Sequence, residues 1–445
     1  MKILLIIPDG LGDRPAPSLG GLTPLEAAHT PNLDALAKDG INGLYTVFGS
    51  GIPVGSPIAI HVMFGYDPKD FSDRGVLLAV ARGLETNYED VVLAARFASV
   101  TPENGTLRLL ERFIRGEEEA CEALASSIDR YETDGLAFRY QYCGKGDGNL
   151  FISGGASPEI TDSDPLGLDL PVIKVEPLEV AQDQEAAGRT SVALNRYLTW
   201  AYEKMSRHPI SAQREAQGLE PINFLITKWS GVRTRLEPFA QKYGLLAASL
   251  PDEEVVAGVV GEMGIKAVTM ARVTDPEEDL RLRLKKAEEL FAEGYDFVHL
   301  HTKEPDFTSH WNDPIKTKEA LDAWDRGFSA YWDGLGKDPE LLTILTSDHS
   351  TPSQWQDMKP GDFNDQHSGE PCPITIRGRH VRKDRVSEAG ERPAAEGGLG
   401  LVKGGEIMDL ILSLTDRTNL YGMRPTPRSH KYRPRDVEPF TLLAD

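Results

Sequence analysis

Four stretches of this sequence stop or turn on side chains that could do chemistry together. Asp348 and His349 adjoin at the end of Leu342-Thr-Ile-Leu-Thr-Ser, a run of β-formers that predicts a fully buried strand. In open α/β sheets chemistry collects beyond the carboxyl ends of strands, and where a strand opens into a loop an acid and an imidazole can reach one ion. By itself the pair would read as a turn cap with a surface histidine. A second buried-strand candidate, Tyr295 to His301, leads into Asp306-Phe-Thr-Ser-His310. A carboxylate and an imidazole four apart share one face of a helical turn, a common way to offer two ligands to one metal. His367 lies in a loop before the apolar run Pro373 to Ile376, and Lys2-Ile-Leu-Leu-Ile-Ile-Pro-Asp9 is a third strand that stops at a carboxylate. Asp9, Asp306, His310, Asp348, His349 and His367 together offer about what two divalent ions need once substrate and water complete their shells.

A hydroxyl stands apart from these ligands. In Gly51-Ile-Pro-Val-Gly-Ser56-Pro57 the serine sits where a helix N-cap belongs, and Pro57 suits the first helical position. There it would face unpaired N–H groups and the positive end of the helix dipole, a setting that favours an alkoxide or a phosphate ester. Alone, Ser56 is a cap. Beside a two-ion ligand set it becomes a nucleophile, because a metal can deprotonate it.

The elements needed to hold such a centre are legible around it. At 445 residues the chain predicts one large core with an inserted or appended smaller domain. Its 26% charged and 40% hydrophobic residues describe a globular protein, and a net charge of −21 argues against nucleic-acid binding. An anionic substrate would then need a cationic pocket or metal ions. Cys121, Cys143 and Cys372 show no paired spacing, which predicts a reducing, cytoplasmic setting. The Asp9 strand carries no cleavage-site pattern, so no signal peptide is expected, and no apolar run reaches the ~18 residues of a membrane span. Thr30, Pro31 and Gly40 punctuate a short helix as cap, first residue and stop.

In order along the chain stand Pro8-Asp9-Gly10, Thr23-Pro-Leu-Glu-Ala-Ala-His-Thr-Pro-Asn-Leu-Asp34, Gly55-Ser56, Gly65-Tyr-Asp-Pro68, Asp306-x-x-x-His310, Ser347-Asp-His-Ser-Thr-Pro352 and His367-Ser-x-x-Pro-x-Pro373. With His208 to Arg214, Gly218, Asn223, Lys228 and Gly231, this pattern resembles the archaeal-type, cofactor-independent (2,3-bisphosphoglycerate-independent) phosphoglycerate mutases of the alkaline phosphatase superfamily. The resemblance implies an α/β fold: an alkaline-phosphatase-like, mostly parallel sheet flanked by helices, with a smaller α+β cap inserted after the serine helix. It implies two divalent ions, Mn²⁺ or alternatively Mg²⁺, Zn²⁺ or Co²⁺. Asp306, His310 and His367 would hold one; Asp9, Asp348, His349 and Ser56 would hold the other. Ser56 would take the phosphoryl group from 3-phosphoglycerate and return it to the neighbouring hydroxyl, the glycolytic isomerisation to 2-phosphoglycerate.

The shell around the metals departs from the family. An acid after the serine and a histidine near position 60 give way to Pro57 and Ile60, with His61 one step along. Asp73-Arg74-Gly75-Val-Leu-Leu78 lacks the family's glutamate, Leu93-Ala-Ala-Arg96 moves an arginine, and Lys228 replaces another. A phosphate-ester or phosphonate hydrolase with the same serine and ions is therefore the alternative, and a non-catalytic binding protein is disfavoured by the cost of gathering bare ionisable groups. Arg74, Lys228, Lys303, Arg108 and Arg112 are the expected substrate contacts; Lys303 shares a loop with Asp306.

The remaining segments complete the expectation. Short alternating runs (90 to 100 and 148 to 153) and a helix from 116 to 131 place the cap at 87–185, and the core at 1–86 and 186–445. Gly144-Lys-Gly-Asp-Gly148 lacks P-loop spacing and reads as a turn. Helices are expected at 190–207, 275–293, 314–335 and 404–414, a core strand at 222–227, and an exposed loop at 381–400. Arg424 to Asp445, with four prolines, reads as an extended tail on the surface or on another subunit, which leaves a homo-oligomer open.

Overall fold

The apolar run after Met1 becomes strand β1 (Lys2–Pro8), whose residues past Lys2 are all buried, as befits a parallel strand covered on both faces. A computed structural model describes residues 1–418 and 441–442. The tail expected over 424–445 lies outside the described residues apart from 441–442. After β1 and β2 (Ile41–Thr46) the chain builds a second unit from β3 (Val91–Glu103), β4 (Thr106–Glu111), β5 (Arg130–Thr133), β6 (Leu136–Gly144), β7 (Asp147–Ser153) and β8 (Phe224–Val232). It then returns to the first unit with β9 (Ala247–Leu250), β10 (Lys266–Ala267), β11 (Phe297–Thr302), β12 (Leu341–Leu345), β13 (Cys372–Arg377) and β14 (Gly400–Lys403).

In the first unit the strand order is β10-β9-β11-β1-β12-β13-β2-β14, and among the described residues only β13 runs against the rest. Alternate residues of the central strands feed two cores. Leu4, Ile6, Val298 and Leu300 pack with Leu280, Leu284, Leu321, Trp324 and Phe328 from the helices Pro276–Ala292 and Pro314–Asp333. Phe297 and His299 point the other way, to Phe64 after the helix Ser56–Met63, with ring centroids 5.7 and 5.2 Å apart. Trp324 and Tyr331 are buried core residues, and Trp332 is half-buried. Among the described residues no helix is long and apolar enough to cross a membrane.

The second unit is an antiparallel sheet of order β4-β3-β7-β6-β5, with β8 paired to β3. Its core joins Phe97, Leu150 and Ile152 to Leu194, Tyr197 and Met205 of the helix Gln184–Ser206. Lys145 and Gly146 adopt positive φ between β6 and β7, so the glycine-rich stretch there is the expected turn. The helix near 116–131 is shorter, Glu118–Ser127, because Tyr131 belongs to β5.

The compact units divide at 71/72 and 235/236, so the second unit is 72–235 and not 87–185. The physical reason is strand pairing: Phe224 to Val232 aligns antiparallel with Val91 to Ala98, which carries that strand and the helix before it out of the core. The short helix Pro31–Asp39 falls where its punctuation places it, but the Thr30 side chain makes no capping bond to the backbone. Buried Asp325, on the helix Pro314–Asp333, accepts from Asn32 N (3.2 Å), Leu33 N (2.8 Å) and Asn32 Nδ2 (2.9 Å) instead.

That cap supplied by a distant helix makes a prediction. Asp325→Ala should cost about 2–3 kcal/mol in urea unfolding, since it strands buried donors. Thr30→Ala should cost about 1 kcal/mol or less. Equal losses for the two variants would contradict the assignment.

Candidate metal and phosphoryl-transfer site

Strands β11, β1 and β12 are neighbours, and the register pairs Pro8 with Thr302 and Ile6 with Leu345, so they end side by side. Asp9 follows β1 directly, Asp306 follows β11, and Asp348 and His349 follow β12. This is the carboxyl edge of a parallel sheet, where side chains from separate loops converge. Gly10 allows the approach: its φ is +66°, and a Cβ there would lie 2.6 Å from Thr351 Oγ1 and 2.8 Å from Asp306 Oδ1. The Asp306 N–H also donates to the Asp9 carbonyl at 2.9 Å.

Six predicted ligands meet here, with Ser56. His310 closes the helical turn Asp306–Ser309, bringing its Nε2 to 3.1 Å from Asp306 Oδ2. His367 Nε2 is 3.7 Å from Asp306 Oδ1, and its ring stacks on His349 at 3.7 Å. His349 Nε2 is 3.1 Å from Asp9 Oδ1, 3.5 Å from Asp348 Oδ2 and 3.0 Å from Ser56 Oγ. Asp9, Asp306 and Asp348 are at most 1% exposed.

Ser56 corrects one expectation. Gly55 occupies the N-cap, Ser56 is the first helical residue and Pro57 the second. The serine makes no capping bond; its buried hydroxyl is directed at His349 and, at 3.5 Å, at Asp9 Oδ1. A hydroxyl released from capping keeps its lone pairs for other chemistry.

Hydrogen bonds behind the rings fix how the imidazoles face. Backbone carbonyls of Asn364 and Val54 accept from Nδ1 of His310 and His367. Thr351 Oγ1 donates to Asp306 Oδ1 at 2.6 Å, so it accepts from His349 Nδ1 at 3.2 Å. Each ring therefore turns its Nε2 toward carboxylates, a place that either a proton or a cation must fill.

Without an ion, the carboxylates hold protons on two of these rings, His349 and His310. Burial alone would lower the His349 imidazole, but Asp348, Asp9 and Asp306 outweigh it and raise it to about 9. Burial and the neighbouring His349 push His367 down to about 4, keeping it neutral as a ligand must be. Burial and the charges of Asp306 and Asp348 raise the Asp9 carboxyl. Lys303 answers part of this charge: its Nζ lies 2.8 Å from Asp9 Oδ2, 2.7 Å from Asp306 Oδ2 and 2.9 Å from Glu253 Oε1. Three carboxylates thus face one ammonium, Asp348 adds a fourth negative charge beside Asp9, and divalent cations would balance the excess in place of the His349 proton. Two donor groups, Asp306–His349–His367 and Asp9–His301–Asp348, each keep their ligand atoms within 4.8 Å of one another.

Of the expected substrate contacts, Lys303 alone belongs to this unit; the others lie in the second one. There Arg112 makes a forked pair with Asp164, which Lys228 shares at 3.4 Å. Arg108 is paired with Asp169 and Glu103, and Arg74 lies over the Trp229 ring. Local sequence assigns no role to His301 or Glu253. The signal for His301 is its spacing, two residues past His299 on a strand ending at the site.

Comparison with known proteins finds relatives along nearly the whole chain. A family model described as the Metalloenzyme superfamily matches residues 1–414. The 2,3-bisphosphoglycerate-independent phosphoglycerate mutase 2 of Methanocaldococcus jannaschii is 34% identical, over 98% of this chain and 99% of its own. The 2,3-bisphosphoglycerate-independent phosphoglycerate mutase of Methanopyrus kandleri is 32% identical, over 95% and 98%. Among solved structures, a protein of Pyrococcus horikoshii superposes with a TM-score of 0.75 at 29% identity, covering 95% of this chain and 99% of that one. A cofactor-independent phosphoglycerate mutase from Thermoplasma acidophilum gives 0.65 at 26%, covering 93% and 100%. Similar to these proteins from end to end, the chain belongs to the 2,3-bisphosphoglycerate-independent phosphoglycerate mutase family, within the Metalloenzyme superfamily.

Proposed function

We propose that this protein interconverts 3-phosphoglycerate and 2-phosphoglycerate through a phosphoserine at Ser56. The observation that carries the reading is the hydroxyl itself: buried, uncapping, and 3.0 Å from the Nε2 of an imidazole set among carboxylates. In this reading Asp306, His310 and His367 hold one divalent ion, and Asp9, Asp348, His349 and Ser56 hold the other, with Mn²⁺ the first candidate. The ions supply positive charge to the serine oxygen and to the transferring phosphoryl group.

The chain's own groups do the rest. Ser56 Oγ bonds to phosphorus as the bond from phosphorus to the glycerate oxygen breaks, and the serine proton passes to that oxygen. The neighbouring glycerate hydroxyl then attacks phosphorus, the bond from phosphorus to Ser56 Oγ breaks, and the proton of that hydroxyl passes to Ser56 Oγ. Burial of Ser56 disfavours water as the acceptor, which would turn the same site into a hydrolase. Lys303 already gives its Nζ to Asp9, Asp306 and Glu253, so it would reach a phosphoryl oxygen only once bound ions draw those carboxylates away. Arg108 and Arg112 are already paired with acids of their own unit, which weakens their claim to substrate.

The test is to supply Mn²⁺ and 3-phosphoglycerate and follow 2-phosphoglycerate and free phosphate separately. Isomer without phosphate is expected. Phosphate alone would establish a hydrolase and overturn the mutase reading. Ser56→Ala should lower turnover by about three orders of magnitude or more while the protein still binds two ions, one more weakly. Turnover at the wild-type rate would remove Ser56 as nucleophile. Lys303→Gln should bind Mn²⁺ more tightly, since a cation leaves the ligand cluster, yet turn over about 100-fold more slowly. Weaker Mn²⁺ binding in that variant would contradict the charge assignment.

A further inference from the structure

His301 ends the apolar run of β11, paired in register with Ile7 of β1. It is 0% exposed, and neither ring nitrogen meets a hydrogen-bond partner; Asp348 Oδ2 has none either. These orphans face one another. His301 Nε2 is 3.7 Å from Asp348 Oδ2 and 3.9 Å from Asp9 Oδ2, beyond hydrogen-bond reach. His299, two residues earlier, is different: its Nδ1 pairs with Ser249 Oγ at 2.9 Å and its ring packs edge-on to Phe64, which leaves only Nε2 unpaired.

Buried polar atoms left unpaired lose their hydration without compensation, so the arrangement needs a counterpart. Donors bound at about 2.0–2.2 Å to one ion stand roughly 3–4 Å from each other. His349 Nε2 to Asp9 Oδ1 (3.1 Å), His349 Nε2 to Asp348 Oδ2 (3.5 Å) and the two His301 separations all fall in that range.

We infer that His301 Nε2 is a ligand of the ion held by Asp9, Asp348 and His349, a donor that the resemblance alone does not supply. The inference rests on the two-ion reading above and deepens it. A second imidazole at this site biases it toward nitrogen-accepting ions such as Mn²⁺, Zn²⁺ or Co²⁺ over Mg²⁺.

The experiment is Mn²⁺ titration of the full chain by calorimetry, for the wild type and His301→Gln. The wild type should take up two ions; in the variant one site should weaken about 10- to 100-fold while the other holds its affinity. A second variant, His301→Cys, loaded with Co²⁺, should show a near-ultraviolet thiolate-to-cobalt absorption band, which reads ligation directly and requires no turnover. A wild type that takes up no pair of ions would sink the two-ion reading itself. Two ions in the wild type, with both affinities in His301→Gln within twofold and no band in His301→Cys, would overturn this inference alone. A merely structural histidine would lower the melting temperature of chelator-treated protein and leave the affinities where they were.

Discussion

Repulsion among carboxylates that the sheet forces together is the constraint around which this protein is built. Asp9, Asp306 and Asp348 leave the ends of three adjacent strands, and none is more than 1% exposed. Water cannot screen them there, so their charge has to be met by partners. Lys303 meets part of it, and the imidazoles of His310, His349 and His367 turn their Nε2 atoms to the remainder. The hydrogen bonds behind those rings matter as much as the rings, because Asn364, Val54 and Thr351 decide which nitrogen faces the acids.

Ser56 draws its chemical meaning from the same constraint. A serine in the first turn of a helix would ordinarily satisfy the N–H groups around it. Here Gly55 holds the cap position, and the serine oxygen joins the charged cluster. Strand ends, helix start and glycine turn therefore form one device, in which the backbone sets where a cation would sit and the hydroxyl lies beside it.

Much of this was legible in the sequence because apolar strands that stop abruptly at an acid leave a plain signature. Asp9 and Asp348 could be read that way, and Asp306 with His310 from their four-residue spacing. Other features depend on partners remote in the chain. The unit boundary escaped because β8 pairs with β3, more than 120 residues earlier, and an isolated strand does not announce its neighbour. Asp325 capping Asn32 and Leu33 is invisible for the same reason, while Thr30 offered a local cap that the fold does not use. His301 reads as one more buried polar residue until β1 and β12 bring Asp9 and Asp348 alongside it.

The most direct measurement of the central claim is a crystal structure of Mn²⁺-soaked protein with anomalous differences recorded at the manganese edge. The account predicts two peaks, one among Asp306, His310 and His367 and one among Asp9, Asp348 and His349 beside Ser56. Ordered Asp9, Asp306 and Asp348 with no anomalous peak between them would contradict it.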